Sequence, residues 1–106
     1  MPTNEELYDD AISLKDAGKL EEAVAKLEDL LRQDPAYALA HSALAVLFTR
    51  LKRHGEAIAH AQQVCQLEPK DAFSYTALSV TLQRAGKIPE AEDAMARARM
   101  LQGGGH

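Results

Sequence analysis

Cysteine occurs once in this chain, tryptophan is absent, and phenylalanine and tyrosine together number five in 106 residues. A single thiol, Cys65, excludes an internal disulfide and any cysteine-rich metal site. With so few rings the core depends on Leu, Ala and Val, a set that suits helices better than sheets. No apolar run approaches the roughly 18 residues needed to cross a bilayer, so membrane insertion is not expected. The first ten residues, MPTNEELYDD, are acidic where a secretion signal is basic and then apolar, which makes the cytoplasm the expected compartment.

Basic surface is also scarce. The formal net charge is −4, and residues 1–34 hold ten acids against four bases, whereas 35–71 and 72–106 each hold three against four. An acidic leading end disfavours a nucleic-acid partner, because neutralising phosphates needs a basic surface. The paired acids Glu5-Glu6, Asp9-Asp10 and Glu21-Glu22 read as first-turn charges and solvated faces. No glycine-rich phosphate loop, nucleophile elbow or metalloprotease motif occurs, so neither catalysis nor a cofactor is expected. His41, His54, His60 and His106 fall on no common helix face, so no helical metal pair is expected and each ring is read as exposed or half-packed. Cys65 is read as a small buried hydrophobe.

What the chain does contain is repetition. Residues 17–24 read AGKLEEAV, and 68 positions later residues 85–92 read AGKIPEAE. Halfway between them, 51–58 read LKRHGEAI, a worn third copy. Columns 34 apart run through the chain: Ala23, Ala57 and Ala91; Ala11, Ala45 and Ser79; Ile12, Val46 and Val80; Leu14, Phe48 and Leu82; Pro35 and Pro69. A fixed period of this length marks stacked supersecondary units.

Each unit reads as two helices. Leu7, Ala11 and Leu14, then Leu20, Ala23, Leu27, Leu30 and Leu31, follow three-four spacing with Gly18 as the break between them. Thr3 and Glu6 form a candidate capping box. Pro35 is placed to stop one helix and open the next, and Pro89 lies harmlessly in a first turn. The expected helices are 3–17, 20–33, 37–51, 54–67, 71–85 and 88–101. The chain is short enough for one domain.

These columns resemble the tetratricopeptide repeat, a 34-residue helix–turn–helix, with repeats at 4–37, 38–71 and 72–102 in a single domain over 1–102 and a flexible tail at 103–106. Tyr75, Leu78, Leu82, Gly86, Ala91 and Ala98 carry the resemblance in the third copy. Leu44, Ala45, Phe48, Ala57 and Pro69 do so in the second, and Leu7, Ala11, Leu14, Gly18, Ala23 and Pro35 in the first. The resemblance implies an all-α fold of three hairpins stacked as a right-handed superhelix. It further implies a non-catalytic scaffold that binds another protein, as a peptide or amphipathic helix, in a concave groove. Two departures stand out. His41 occupies an aromatic position, and Lys52 replaces the turn glycine, so the middle turn is expected to be rearranged around Gly55.

By the same resemblance the groove is lined by Tyr8, Ile12 and Lys15 from the first repeat, Leu39, Ser42, Val46 and Arg50 from the second, and Phe73, Thr76, Val80 and Arg84 from the third. Ile12, Val46 and Val80 would make an aliphatic row, with Lys15, Arg50 and Arg84 along one rim. A segment with apolar anchors and some acid fits that surface. The family's carboxylate clamp is missing, because its positions hold Tyr8, Ser42, Thr76 and the aliphatic row. The family's asparagine ladder is missing too, since Asn4 is the only asparagine. The alternative is a self-assembling unit, a homodimer formed through the groove or through the last helix, whose Ala91, Ala94, Met95, Ala98 and Leu101 are expected to leave an open apolar stripe.

Overall fold

The computed structural model describes residues 1–103. The expected flexibility of 103–106 therefore concerns, beyond Gly103, residues outside the described ones, and so does His106. Among the described residues there are six helices and no strand: α1 (Asn4–Asp16), α2 (Leu20–Gln33), α3 (Ala38–Arg50), α4 (His54–Leu67), α5 (Ala72–Arg84) and α6 (Ile88–Gln102). The expected helices differ mainly at the ends, where residues such as Thr3, Tyr37 and Asp71 act as N-caps. Thr3 closes the capping box with Glu6: its hydroxyl accepts from the Glu6 amide at 3.1 Å, and its amide donates to Glu6 Oε1 at 3.0 Å. These bonds hold the Glu6 carboxyl below the usual carboxylate range. Pro35 does end α2, but it lies before α3 and does not open it.

Helices pair in sequence into three hairpins, α1–α2, α3–α4 and α5–α6, which stack through the contacts of α2 with α3 and of α4 with α5. The array is elongated, 45 × 28 × 20 Å. Alanine makes the pairing possible. Ala11, Ala23, Ala57 and Ala91 are fully buried, the last three at one column of the 34-residue period, and a larger side chain there would wedge the pair apart.

The apolar interior forms two clusters of unequal quality. The first joins α1, α2 and α3 around Leu27, Leu30, Leu44, Leu47 and Phe48. The second joins α4, α5 and α6 around Leu78 and Leu82, filled out by Ala45, Ala61, Cys65, Ala91 and Ala94. Cys65 is buried there, and desolvation pushes its thiol above the ordinary range.

The three intrahairpin turns share one geometry. Lys19 donates to the Leu14 carbonyl at 2.8 Å and Gly18 to that of Lys15 at 3.0 Å. Arg53 and Lys52 repeat these bonds to Phe48 (2.8 Å) and Thr49 (3.0 Å), and Lys87 and Gly86 repeat them to Leu82 (2.9 Å) and Gln83 (3.0 Å). This is the Schellman ending of a helix, which needs a left-handed residue at its centre. Gly18 and Gly86 supply it at φ 80°, and Lys52 supplies it at φ 62°. The expected rearrangement around Gly55 does not occur. Gly55 lies inside the first turn of α4, and the lysine adopts the conformation its glycine counterparts hold.

Candidate functional site

The inner helices α3 and α5 lie side by side with only light contact, and α4 closes the space beneath them. The result is an open groove of about 850 Å3. Of the residues expected from the sequence, Leu39, Ser42, Val46 and Arg50 of α3 line it with Phe73, Val80 and Arg84 of α5. Four of these are large apolar side chains left in solvent: Leu39 is 55% exposed, Val46 48%, Phe73 78% and Val80 41%. Their positions follow from helical spacing. Leu39 and Val46 are seven residues apart, as are Phe73 and Val80, so each pair lies on one face of its helix.

Four expected residues lie elsewhere. Tyr8, Ile12 and Lys15 sit on α1, outside this groove. Tyr8 and Ile12 are half-buried against the first cluster. The Tyr8 ring lies 6.1 Å from that of Tyr37, and burial is the main cause of its raised phenol pKa. Thr76 is half-buried, with its hydroxyl donating to the Ala72 carbonyl at 3.1 Å. The aliphatic row expected from Ile12, Val46 and Val80 is therefore exposed only at its second and third members. The sequence reading did not place Lys52, Glu68 and Asp71 in the groove. The signal for Asp71 was available, since an Asp before a helix is a strong N-cap, and its carboxylate accepts from the Phe73 amide at 3.0 Å.

Charge is segregated along the groove. Arg50, Lys52 and Arg84 gather where α3 and α5 end, and Glu68 and Asp71 stand where α5 begins. Among the described residues neither arginine nor Lys52 has a carboxylate within 4.0 Å; the ion pairs present are Arg32–Asp29, Arg53–Glu21 and Arg53–Glu56.

Behind the groove, on the α3–α4 contact, lies a histidine pair. His41, expected to be exposed or half-packed, is buried. Its Nε2 is 2.8 Å from the Pro35 carbonyl oxygen and donates to it. His41 Nδ1 is then left to accept, and the proton in the 2.9 Å contact with His60 Nδ1 belongs to His60. His60 stacks on Phe48 at 5.6 Å, and the Arg53 guanidinium covers Phe48 at 4.7 Å from its centroid. Desolvation, then the neighbouring His41, lowers the pKa of His60. Sequence reasoning missed the pair because 19 positions separate its members, which meet only once the hairpin closes. Among the described residues no group of three or more His, Cys, Asp or Glu is placed to hold a metal ion, and no helix is long and apolar enough to cross a membrane.

The stripe on α6 also differs from expectation. Ala91, Ala94 and Ala98 are buried and Met95 and Leu101 are half-buried, because α5 covers that face. The large apolar side chains that α6 exposes are Ile88 and Met100.

Comparison with known proteins agrees with this geometry. The family model for the tetratricopeptide repeat matches residues 8–72. No curated protein matches. Among solved structures, a crystal structure of MamA protein superposes with a TM-score of 0.87 at 17% identity, over 94% of this chain and 55% of that one. The MamA AMB-1 structure gives 0.83 at 21%, over 95% of this chain and 60% of its own. The second TPR of Spaghetti (RPAP3), bound to the HSP90 peptide SRMEEVD, gives 0.82 at 19%, over 93% and 92% of the two chains. This chain thus spans less than two thirds of the MamA structures, and at these identities the likeness concerns the fold. With the period, the shared turn geometry, the paired alanines and the family match in agreement, the chain belongs to the tetratricopeptide repeat family.

Proposed function

We propose that this chain is a non-catalytic protein-interaction module, built of repeats 4–37, 38–71 and 72–102, that binds an apolar segment of another protein in the groove between α3 and α5. One observation carries the reading. Leu39, Val46, Phe73 and Val80 are four of the seven large hydrophobic side chains the described residues expose, and all four open into the same cavity. An apolar patch that is gathered and rimmed by charge is the usual mark of a binding surface. Ser42 and Ala77, small residues between the apolar rows, leave room for an inserted side chain. The RPAP3 domain, similar in fold over nearly its whole length, is a tetratricopeptide module caught with a peptide, which supports the same use of this architecture. Self-assembly through α6 has less to recommend it, since the alanines of its stripe are already packed against α5.

The test compares wild type with Val46→Glu/Val80→Glu and with Met100→Glu. Proteins captured from source lysate are identified, and the interacting segment is made as a peptide and titrated by fluorescence anisotropy. Circular dichroism confirms that each variant is folded. Binding lost in the double variant and retained in Met100→Glu supports the groove. Equal binding in the double variant, or loss in Met100→Glu alone, rejects it. Sedimentation over a range of concentrations tests the homodimer independently.

A further inference from the structure

The groove's side chains are ordered as well as gathered. Leu39 and Phe73, Val46 and Val80, and Arg50 and Arg84 are each 34 positions apart, so they form three cross-rows over parallel-indexed positions of α3 and α5. Along either helix the rows are seven and four residues apart, or about 10.5 and 6 Å at the helical rise of 1.5 Å per residue. A ligand in extended conformation matches this poorly. At about 3.3 Å per residue its two apolar anchors fall about three residues apart and project from opposite faces. A helical ligand has the same rise as the rows. Residues i, i+4 and i+11 then meet the basic row and the two apolar rows in turn, and they lie within about 40° of one another around the helix axis. Ser42 and Ala77, small and between the apolar rows, admit a large side chain at i+7 or i+8.

Charge sets the direction. The basic row lies at the carboxyl ends of α3 and α5, and Glu68 and Asp71 lie toward the amino end of α5. Arg50 and Arg84 complement the dipoles of their own helices while both remain exposed, with no carboxylate among the described residues within 4.0 Å. A helix whose own amino end meets this row sets acidic first-turn residues, which its own dipole stabilises, against the free cations, and two or more such full charges outweigh the roughly half positive charge of its amino end. A helix in the opposite sense would set acid in its last turn, against its own dipole.

We infer that the groove takes an amphipathic partner helix running antiparallel to α3 and α5, with an acidic first turn against Arg50, Lys52 and Arg84 and apolar residues four and eleven positions later. This rests on the groove reading above, and the experiment separates the two. A displayed library of helix-forming peptides, on the order of 16 residues to cover the rows plus a turn, is selected on wild type and counter-selected on Val46→Glu/Val80→Glu. The expected winners carry Asp or Glu in the first turn and the four-eleven apolar spacing. They bind about tenfold more weakly to Arg50→Glu/Arg84→Glu, and they recover when their acids are changed to lysine. Groove-dependent winners with no acidic first turn, with acid at the other end, or with undiminished binding to the charge-reversed protein overturn the antiparallel assignment and leave the groove standing. No winner that distinguishes wild type from Val46→Glu/Val80→Glu overturns both. Arg50 and Arg84 are exposed, and circular dichroism verifies the fold of the charge-reversed protein.

Discussion

Replacing Lys52 by glycine should stabilise the protein. At φ 62° the lysine occupies the left-handed region that Gly18 and Gly86 occupy in the equivalent turns. An L-residue there costs roughly 1–2 kcal/mol, and glycine is free of that penalty. Glycine returns part of the gain, about 0.5–1 kcal/mol, through the larger entropy of its unfolded chain. The net expectation for Lys52→Gly is stabilisation of about 1 kcal/mol, or about 4–8 °C in Tm for a domain near this size. Lys52→Ala serves as the control, because it removes the charged side chain and keeps the backbone penalty, so its Tm should stay near that of wild type. Urea titration followed by circular dichroism checks the pair, with the midpoint rising for glycine at an unchanged slope. Equal gains in the two variants would trace the effect to the side chain and refute the backbone argument. A loss with glycine would refute it too. The reverse substitution, Gly86→Ala, meets no atom within 4 Å of the new Cβ, so its expected destabilisation comes from φ alone.

Other consequences of the fold can be measured alongside. Because the folded pKa of His60 is lowered, the unfolded chain binds more protons, so stability should be fully present above the ordinary histidine pKa and be lost as pH falls from there through the folded value. Melting temperatures from pH 8 to 5 should show that decline, and His60→Gln, which retains a donor, should flatten it. Ala57 is fully buried, and Ala57→Leu should cost roughly 1–3 kcal/mol by overpacking, read as a drop in the urea midpoint; no change would refute the overpacking argument. The second cluster is rich in small side chains, so hydrogen exchange should find α5 and α6 opening at lower free energy than α2 and α3. Alkylation of the buried Cys65 thiol should follow the same opening, and uniform protection across all six helices would contradict this.

The period was legible because packing is repetitive. Ala23, Ala57 and Ala91 each fill the same narrow contact, and Leu14, Phe48 and Leu82 each supply the same turn carbonyl, so like residues recur 34 apart. Lys52 was misread because residue identity reports only a preference for φ. The surrounding bonds to Phe48 and Thr49 overrode the preference of lysine. The α6 alanines were misread because an alanine stripe looks the same whether it faces water or a neighbouring helix; which one depends on the α5 backbone. Periodicity placed Val46 and Val80 on a helix face but could not tell that Ile12, at the same column, is drawn into the packing around the first cluster. The opposed charges at the groove's ends depend on where α4 hands over to α5, and that placement is tertiary.

The two junctions between hairpins carry a consequence for how such a chain lengthens. The middle hairpin begins and ends with the same hydrogen bonds: Tyr37 to the Asp34 carbonyl (3.2 Å) and Ala40 to that of Tyr37 (3.1 Å) recur 34 residues on as Asp71 to Glu68 and Ser74 to Asp71, both 3.1 Å. A duplicated copy of residues 38–71 inserted after Asp71 would therefore meet ends that already fit it, with no new junction to build. Each added copy would contribute one more Leu39, Val46 and Arg50, so the surface would grow by whole rows while the register of the existing ones stayed fixed. Length in this architecture is a copy number, and the reach of the binding face is counted in the same unit.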